Sequence, residues 1–428
     1  MILNISFNNY RLFKGANDLS FAADLRTRKL LSNSVCRDNK NVLKCLGLYG
    51  ENNGGKINVV ALIGILQSVL LGEQIRPINR SVFGDSPISD FSITFRDESG
   101  LGWLRYEVSY DSASGSYPRE RMSSIKFYDN GAPLTRVVFE KDVAQKVLHL
   151  FDEDKSMYLN LLPVTRPFLY SVKTDEGEFA SLSPYFDATR ALAASIEIIR
   201  MYNIPIKKTL GVLKGTDSKQ QDFIRSFVKS ADLAIEDFSY EKKPFSQSDE
   251  ENDEIAEEAL AKYVDIQDAF RLATTYNGSK VPSFFYDSSG TKKIEAIASY
   301  VYESIVKGKL LVVDELDNGL HFHLTRAIVS AFNNLANEKG QLLFTSHDLL
   351  LIDCKNLLRK DQIYFIERDK EAARLFCLKE ATVAEGGPRE GGALLKHYQK
   401  GSFGKVPMPS FIKEILVLRD EDDQRGER

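Results

Sequence analysis

Gly50-Glu51-Asn52-Asn53-Gly54-Gly55-Lys56 is the stretch on which the fold turns. An apolar run, Val42 to Tyr49, leads into it, and Ile57 to Leu71 follows, apolar and interrupted only by Gly64. This reads as strand, Gly-rich loop, helix. In that context successive backbone N–H groups and a helix N-terminus face phosphates, and the lysine reaches the terminal ones. A plain Gly-rich turn before a helix is the alternative, and the flanking pattern speaks against it.

Three later motifs fall in a fixed order. Leu310-Leu311-Val312-Val313-Asp314-Glu315 is a buried strand ending in two carboxylates, at the edge of a parallel sheet where ligands of open α/β folds sit. Asp314 is the candidate Mg²⁺ ligand and Glu315 the candidate base for water. Leu342-Leu343-Phe344-Thr345-Ser346-His347 is a second buried strand, and it places His347 where a γ-phosphate or its water would be. Ser288-Ser289-Gly290-Thr291, at the start of a helix, offers N–H and hydroxyl donors to a phosphate. Taken singly, each has a blander reading: a helix cap, an acidic turn, a structural histidine. Their order and spacing set them apart.

The rest of the chain frames these motifs. Ile2 to Phe7 alternates as a strand, with Leu19 to Ala23 as an antiparallel partner. Phe91 to Phe95 and Leu104 to Tyr110 alternate likewise, with a turn-rich link at Ser112 to Gly115. Phe139 to Leu150, Pro184 to Tyr202 and Asp217 to Asp232 read as helices. Asp249 to Glu258 is an acidic run, read as a solvated loop. Helices are expected at Lys292 to Val306 and Leu320 to Ala336, and strands at Leu310 to Asp314 and Gln341 to Thr345. A final hairpin is expected around Arg368 to Glu371, and the tail Asp420 to Arg428 is charged. No heptad run long enough for a coiled-coil arm is visible. The expected divisions are 1–170, 171–283 as a helical insertion, 284–415, and 416–428.

With 428 residues, 43% hydrophobic and 27% charged, the chain can bury a large core. A formal net charge of -4 excludes a global basic footprint for nucleic acid. Local basic residues remain, Lys207, Lys208 and Lys214, and Arg119 and Arg121, with ordinary surface charge as the simpler reading. Cys36, Cys45, Cys354 and Cys377 are scattered, which points to reduced thiols in the cytoplasm rather than a disulfide framework. Met1 to Asn9 lacks the layout of a secretory leader, and no stretch is long and apolar enough to span a bilayer. His321 and His323, read as lying on different helix faces, do not suggest a metal site.

Together these motifs resemble the ABC-type ATPase heads of the SMC and DNA-repair class, and most closely the prokaryotic AAA15/OLD-like ATPases of abortive infection and phage defence. The resemblance implies a P-loop α/β head with a mixed sheet, an N-terminal antiparallel β-subdomain and a helical insertion, binding ATP and Mg²⁺. It assigns the phosphate loop to Gly50, Glu51, Asn52, Asn53, Gly54, Gly55 and Lys56, and the signature to Ser288, Ser289 and Gly290. It assigns the metal and base to Asp314 and Glu315, the D-loop to Asp317 and Asn318, and the switch histidine to His347. Tyr398 to Gly404 is a further local match. The implied assembly is a head-to-tail homodimer or a higher homo-oligomer formed through the heads, with DNA or a separately encoded nuclease or toxin as further partners and no membrane. A nuclease domain within the chain is not expected, since 348–428 is shorter than the ~100 residues a domain typically needs. The departure is Ile57, where the family has Ser or Thr to ligate Mg²⁺. It leaves two readings open, slow hydrolysis or a nucleotide sensor without turnover. No glutamine fits the Q-loop, and Gln67 lies within the helix after the phosphate loop.

Overall fold

The computed structural model describes residues 1–51, 54–73, 77–174, 176–231, 234–241, 268, 270–354, 356–368 and 371–381. Asn52, Asn53, the acidic run, Tyr398 to Gly404 and the charged tail lie outside them.

Along the chain, β1 (Ile2–Asn8), β2 (Asn17–Ser20), β3 (Ser34–Arg37), β4 (Lys40–Leu43) and β5 (Cys45–Gly50) precede α1 (Lys56–Leu70). Next come β6 (Ile88–Arg96), β7 (Trp103–Asp111), β8 (Ser116–Phe127), β9 (Pro133–Asp142), β10 (Val147–Leu150) and β11 (Glu153–Asp154). The middle holds α2 (Ser183–Ala194), β12 (Ile196–Arg200), α3 (Lys207–Lys214), α4 (Ser218–Ala231), β13 (Asp237–Tyr240), β14 (Leu272–Tyr276) and β15 (Ser279–Pro282). The last part holds α5 (Ser283–Tyr286), α6 (Ser289–Lys307), β16 (Leu310–Asp314), α7 (Phe322–Asn333), β17 (Gln341–Thr345), α8 (Leu350–Asp353), β18 (Ile363–Arg368) and β19 (Ala373–Cys377).

The central sheet has the order β12-β16-β17-β5-β18-β19. Its first five strands run parallel, and β19 closes the edge as the antiparallel arm of the expected hairpin. Alternate residues of each strand feed two different cores. Leu46, Leu48, Leu310, Val312 and Leu343 pack with α1 and the antiparallel strands, whereas Tyr49, Leu311, Val313, Leu342 and Phe344 pack with α6 and α7. Burial on both faces explains why these strands read as unbroken apolar runs. Strand order reverses around β5, so the loops leaving β5, β16 and β17 meet at one edge, the place for a ligand in such a sheet. A second, eight-stranded antiparallel sheet runs β11-β10-β9-β8-β7-β6-β1-β2 and confirms the N-terminal β-subdomain.

Three expectations need correction. Phe139 to Leu150 is not a helix: it is the end of β9, a turn with Lys146 at φ 59, and β10, paired Leu150 to Phe139. Its two apolar clusters fall at spacings that imitate a helical stripe, but the partner strand β8 captures the backbone. Pro184 to Tyr202 is helical only to Ala194. The β-branched Ile196, Ile198 and Ile199 then form β12, parallel to β16 at the sheet edge. Residues 171–283 therefore hold strands as well as helices, and one of those strands completes the central sheet.

Candidate nucleotide site

Lys56 opens α1 and turns back into the loop. Its Nζ donates to the carbonyl oxygens of Gly50 at 2.6 Å and Glu51 at 3.1 Å, and lies 3.5 Å from His347 Nδ1. The glycines make this path possible. A Cβ on Gly50 would lie 2.8 Å from the Ile366 carbonyl, and Gly55 sits at φ +120. The loop thus grips its lysine with backbone carbonyls, an arrangement a polyphosphate can replace. Burial lowers the Lys56 pKa to about 8, although Asp317, Asp314, Glu315 and Glu51 pull it upward. Burial also lowers His347 below its usual range, and the Lys56 charge adds to that effect. A neutral imidazole beside a cation can accept a hydrogen bond from a water or phosphate-bound proton.

The carboxylates hang on one threonine. Thr345 is fully buried; its Oγ1 donates to Asp314 Oδ1 at 2.8 Å and accepts from the Glu315 N–H at 2.7 Å. Glu315 itself lies in the left-handed region, at φ 56, where a residue with a Cβ is strained by about 1–3 kcal/mol. Such a turn swings its side chain out of the strand direction. Glu315 Oε2 accepts from Asn318 Nδ2 at 3.0 Å, and the Asp317 carboxylate accepts the His347 N–H at 3.1 Å. Lys56, His347 and Asp317 thus form one hydrogen-bonded set and Asp314, Thr345, Glu315 and Asn318 another, and the charges of Asp314, Glu315 and Asp317, which act on both Lys56 and His347, join the two into one network. Thr345 was missed, because a threonine inside a β-rich apolar strand carries no motif of its own.

Ile57 is 48% exposed at the start of α1. An apolar side chain left in solvent beside a phosphate loop has no packing reason to be there, and it offers no oxygen. The donors suited to Mg²⁺ are the Asp314 carboxylate and, next to it, Glu315. Mg²⁺ is commonly held by one or two carboxylates, phosphate oxygens and water, so this set fits the ion but is one ligand short of the family pattern. Gln67 is structural: its Nε2 donates to the carbonyls of Ala193 and Ile196 and ties α1 to the turn before β12. Beside α1 opens a cleft of about 600 Å³ lined by Arg11, Asn58, Asn79 and Arg80, two arginines that the sequence reading passed over. Arg11 also reaches Asn58 Oδ1 at 3.1 Å, and its φ of 49 marks the tight turn after β1.

The signature residues lie elsewhere. Ser288 caps α6, its Oγ accepting from the Thr291 N–H at 3.1 Å, and Gly290 lies against the Gly319 carbonyl. Together with Ser289, Gly319 and His321 they line a cleft of about 310 Å³ that includes none of the described residues of the Gly50–Lys56 loop. His321 caps α7 and its ring centroid is 5.2 Å from that of His323, so the two rings are neighbours rather than on different faces of a helix. Among the described residues no cluster of three His, Cys, Asp or Glu could hold a metal. Of the basic residues, Lys208 is held by Glu197 and Glu303, Lys214 by Asp268, Arg119 by Asp90 and Arg121 by Glu140. No described helix is long and apolar enough to cross a membrane.

Fold and network define an ATPase-type P-loop domain. The chain belongs to the family described as "AAA domain, putative AbiEii toxin, Type IV TA system", which matches residues 45–353. It is also similar to solved SMC heads. An SMC head domain from Thermotoga maritima matches at 9% identity and a TM-score of 0.40, over 88% of this chain and 98% of that one. An SMC head bound to the C-terminal winged-helix domain of ScpA matches at 11% identity and 0.44, over 89% and 99%. No curated protein matches.

Proposed function

We propose that this protein is an ATP-binding and ATP-hydrolysing ABC-type head that works as a homodimer. The observation that carries this reading is the separation of its motifs. Lys56 and His347 lie within electrostatic reach of Asp314 and Glu315, while Ser288, Ser289 and Gly290 line a cleft that none of those four residues lines. A nucleotide seated on Lys56 leaves that cleft free for the nucleotide of another copy. In this reading Gly50 to Lys56 cradle the phosphates, Arg11 and Arg80 flank the rest of the nucleotide, and Asp314 holds Mg²⁺. The ion, when bound, neutralises charge on the β- and γ-phosphates. Glu315 orients and deprotonates the attacking water, and His347 accepts a hydrogen bond near the γ-phosphate. Asp317 keeps His347 in place through its backbone N–H.

A second reading is favoured by Ile57: a nucleotide-sensing scaffold that pairs on ATP and hydrolyses it little. Either way, dimerisation should follow nucleotide state. Light scattering on Glu315→Gln with Mg²⁺ and ATP should give a dimer, with Lys56→Ala remaining monomeric. A monomer in both would remove the dimer reading. As output, we propose gating of a separately encoded nuclease or toxin in phage defence, by a cytoplasmic protein of OLD-like type. Support for this rests on the resemblance and the family description alone; a nuclease or toxin gene beside this one would strengthen it and an isolated gene would withdraw that support. Direct DNA contact is not part of the proposal, since most of the candidate basic residues are already in ion pairs.

A further inference from the structure

We propose that Lys293 is a positioning residue that ties the signature helix to Glu315, so that whatever seats against Ser288 to Gly290 governs the water-activating carboxylate of the same chain. The inference rests on the nucleotide-head reading above. Lys293 is the fifth residue of α6, three positions after Gly290. Its Nζ donates to two acceptors on one residue, the Asn318 carbonyl and the Asn318 Oδ1, both at 2.8 Å. This double grip chooses the orientation of the amide. With Oδ1 on the ammonium, Nδ2 must point the other way, and there it donates to Glu315 Oε2 at 3.0 Å. The flipped amide would set two donors against each other at Lys293 and two acceptors against each other at Glu315.

The surrounding backbone is shaped to this contact. Gly319 sits at φ +66, and a Cβ there would lie 2.5 Å from Lys293 Nζ. The Gly319 carbonyl also lies against Gly290, where an added Cβ would meet it at 3.1 Å. The start of α6, Lys293, Asn318 and Gly319 thus form one packed unit. The Glu315 backbone is fixed separately by Thr345, so the direction of its carboxylate is what Asn318 controls. A shift of α6 when a second copy's nucleotide meets the signature would move Lys293, release or tighten Asn318, and turn Glu315 away from or toward its water. Cleavage in one cleft is thereby made conditional on engagement of the other.

The test uses the full chain with Lys293→Met, Lys293→Arg, Asn318→Ala and the Lys293→Met/Asn318→Ala pair. Single-turnover ATP cleavage is read beside the affinity for a fluorescent ATP analogue. Misplacing a catalytic group by about 1 Å costs up to about 100-fold, so Lys293→Met should cut the cleavage rate about 10- to 100-fold with affinity within about 2-fold. Lys293→Arg should recover most of the rate, and the double variant should be no slower than the slower single one. A wild-type rate in Lys293→Met, a loss of affinity as large as the loss of rate, or additive effects would overturn the proposal. Hydrogen exchange over 314–320 decides the matter independently of turnover. Faster exchange there in Lys293→Met, with 57–70 unchanged, supports the clamp, and unchanged exchange at 314–320 refutes it. If neither the native chain nor Ile57→Thr cleaves ATP, the hydrolysis reading fails while the exchange result still settles the clamp.

Discussion

Thr345→Val is the perturbation whose cost the structure defines most closely. Valine keeps the shape and β-propensity of the residue inside β17 and removes only the hydroxyl. That hydroxyl is fully buried and serves two partners, the Asp314 carboxylate at 2.8 Å and the Glu315 N–H at 2.7 Å. A hydrogen bond to a charged group is worth about 1.5–3 kcal/mol, and a buried donor left unpaired costs about 1–3 kcal/mol. Asp314 is 5% exposed and can recover only part of its loss from water. The expected destabilisation is therefore about 3–5 kcal/mol, near the upper end for a single substitution. Thr345→Ser keeps both bonds and loses one methyl group, at about 1 kcal/mol. Equilibrium urea denaturation at pH 7 on the three proteins measures this. A Val variant within about 1 kcal/mol of the native chain, or a Ser variant as damaged as the Val one, would refute the assigned role of Thr345.

Other consequences are open to test. The Lys56 pKa of about 8 makes the charged form costly in the nucleotide-free fold, so that fold is penalised below pH 8 and the penalty fades as pH rises toward 10.5. A bound polyphosphate reverses that preference. ATP affinity should thus be flat below about pH 7 and weaken by up to about tenfold per pH unit above pH 8; a flat profile to pH 9.5 would contradict the burial of Lys56. Gly72→Ala drives a Cβ into the Tyr170 ring at φ +64 and should lower stability by about 1–3 kcal/mol in thermal melts. Gly47→Ala forces a Cβ to 2.8 Å from the rings of Phe344 and Tyr49, directly below the phosphate loop, and should lower both melting temperature and ATP affinity.

Much of this arrangement was legible because its signals are local. A parallel strand buried on both faces writes an unbroken apolar run, as at Leu310 to Val313 and Leu342 to Phe344. A phosphate loop writes its glycines and lysine in consecutive positions. What was missed depends on partners distant in sequence. Ile196 to Arg200 follows a helix so closely that only pairing with Leu310 to Asp314 reveals a strand. The same holds for Phe139 to Leu150, whose apolar spacing suits either structure until β8 lies alongside. Arg11 on Asn58, Thr345 on Asp314 and the grip of Lys293 on Asn318 are contacts between elements distant in sequence, with no motif to announce them. His321 and His323 were placed apart on an ideal helix, but His321 is the cap before its first turn.

Mg²⁺-dependent ATP turnover by the native protein, beside Ile57→Thr and Glu315→Gln, tests the central claim most directly. The account predicts slow but measurable turnover in the native chain, none in Glu315→Gln, and at least about a tenfold gain when Ile57→Thr restores a metal-binding hydroxyl. A native chain that binds ATP without cleaving it, with turnover appearing only in Ile57→Thr, would contradict hydrolysis as its function and leave a nucleotide-sensing scaffold in its place.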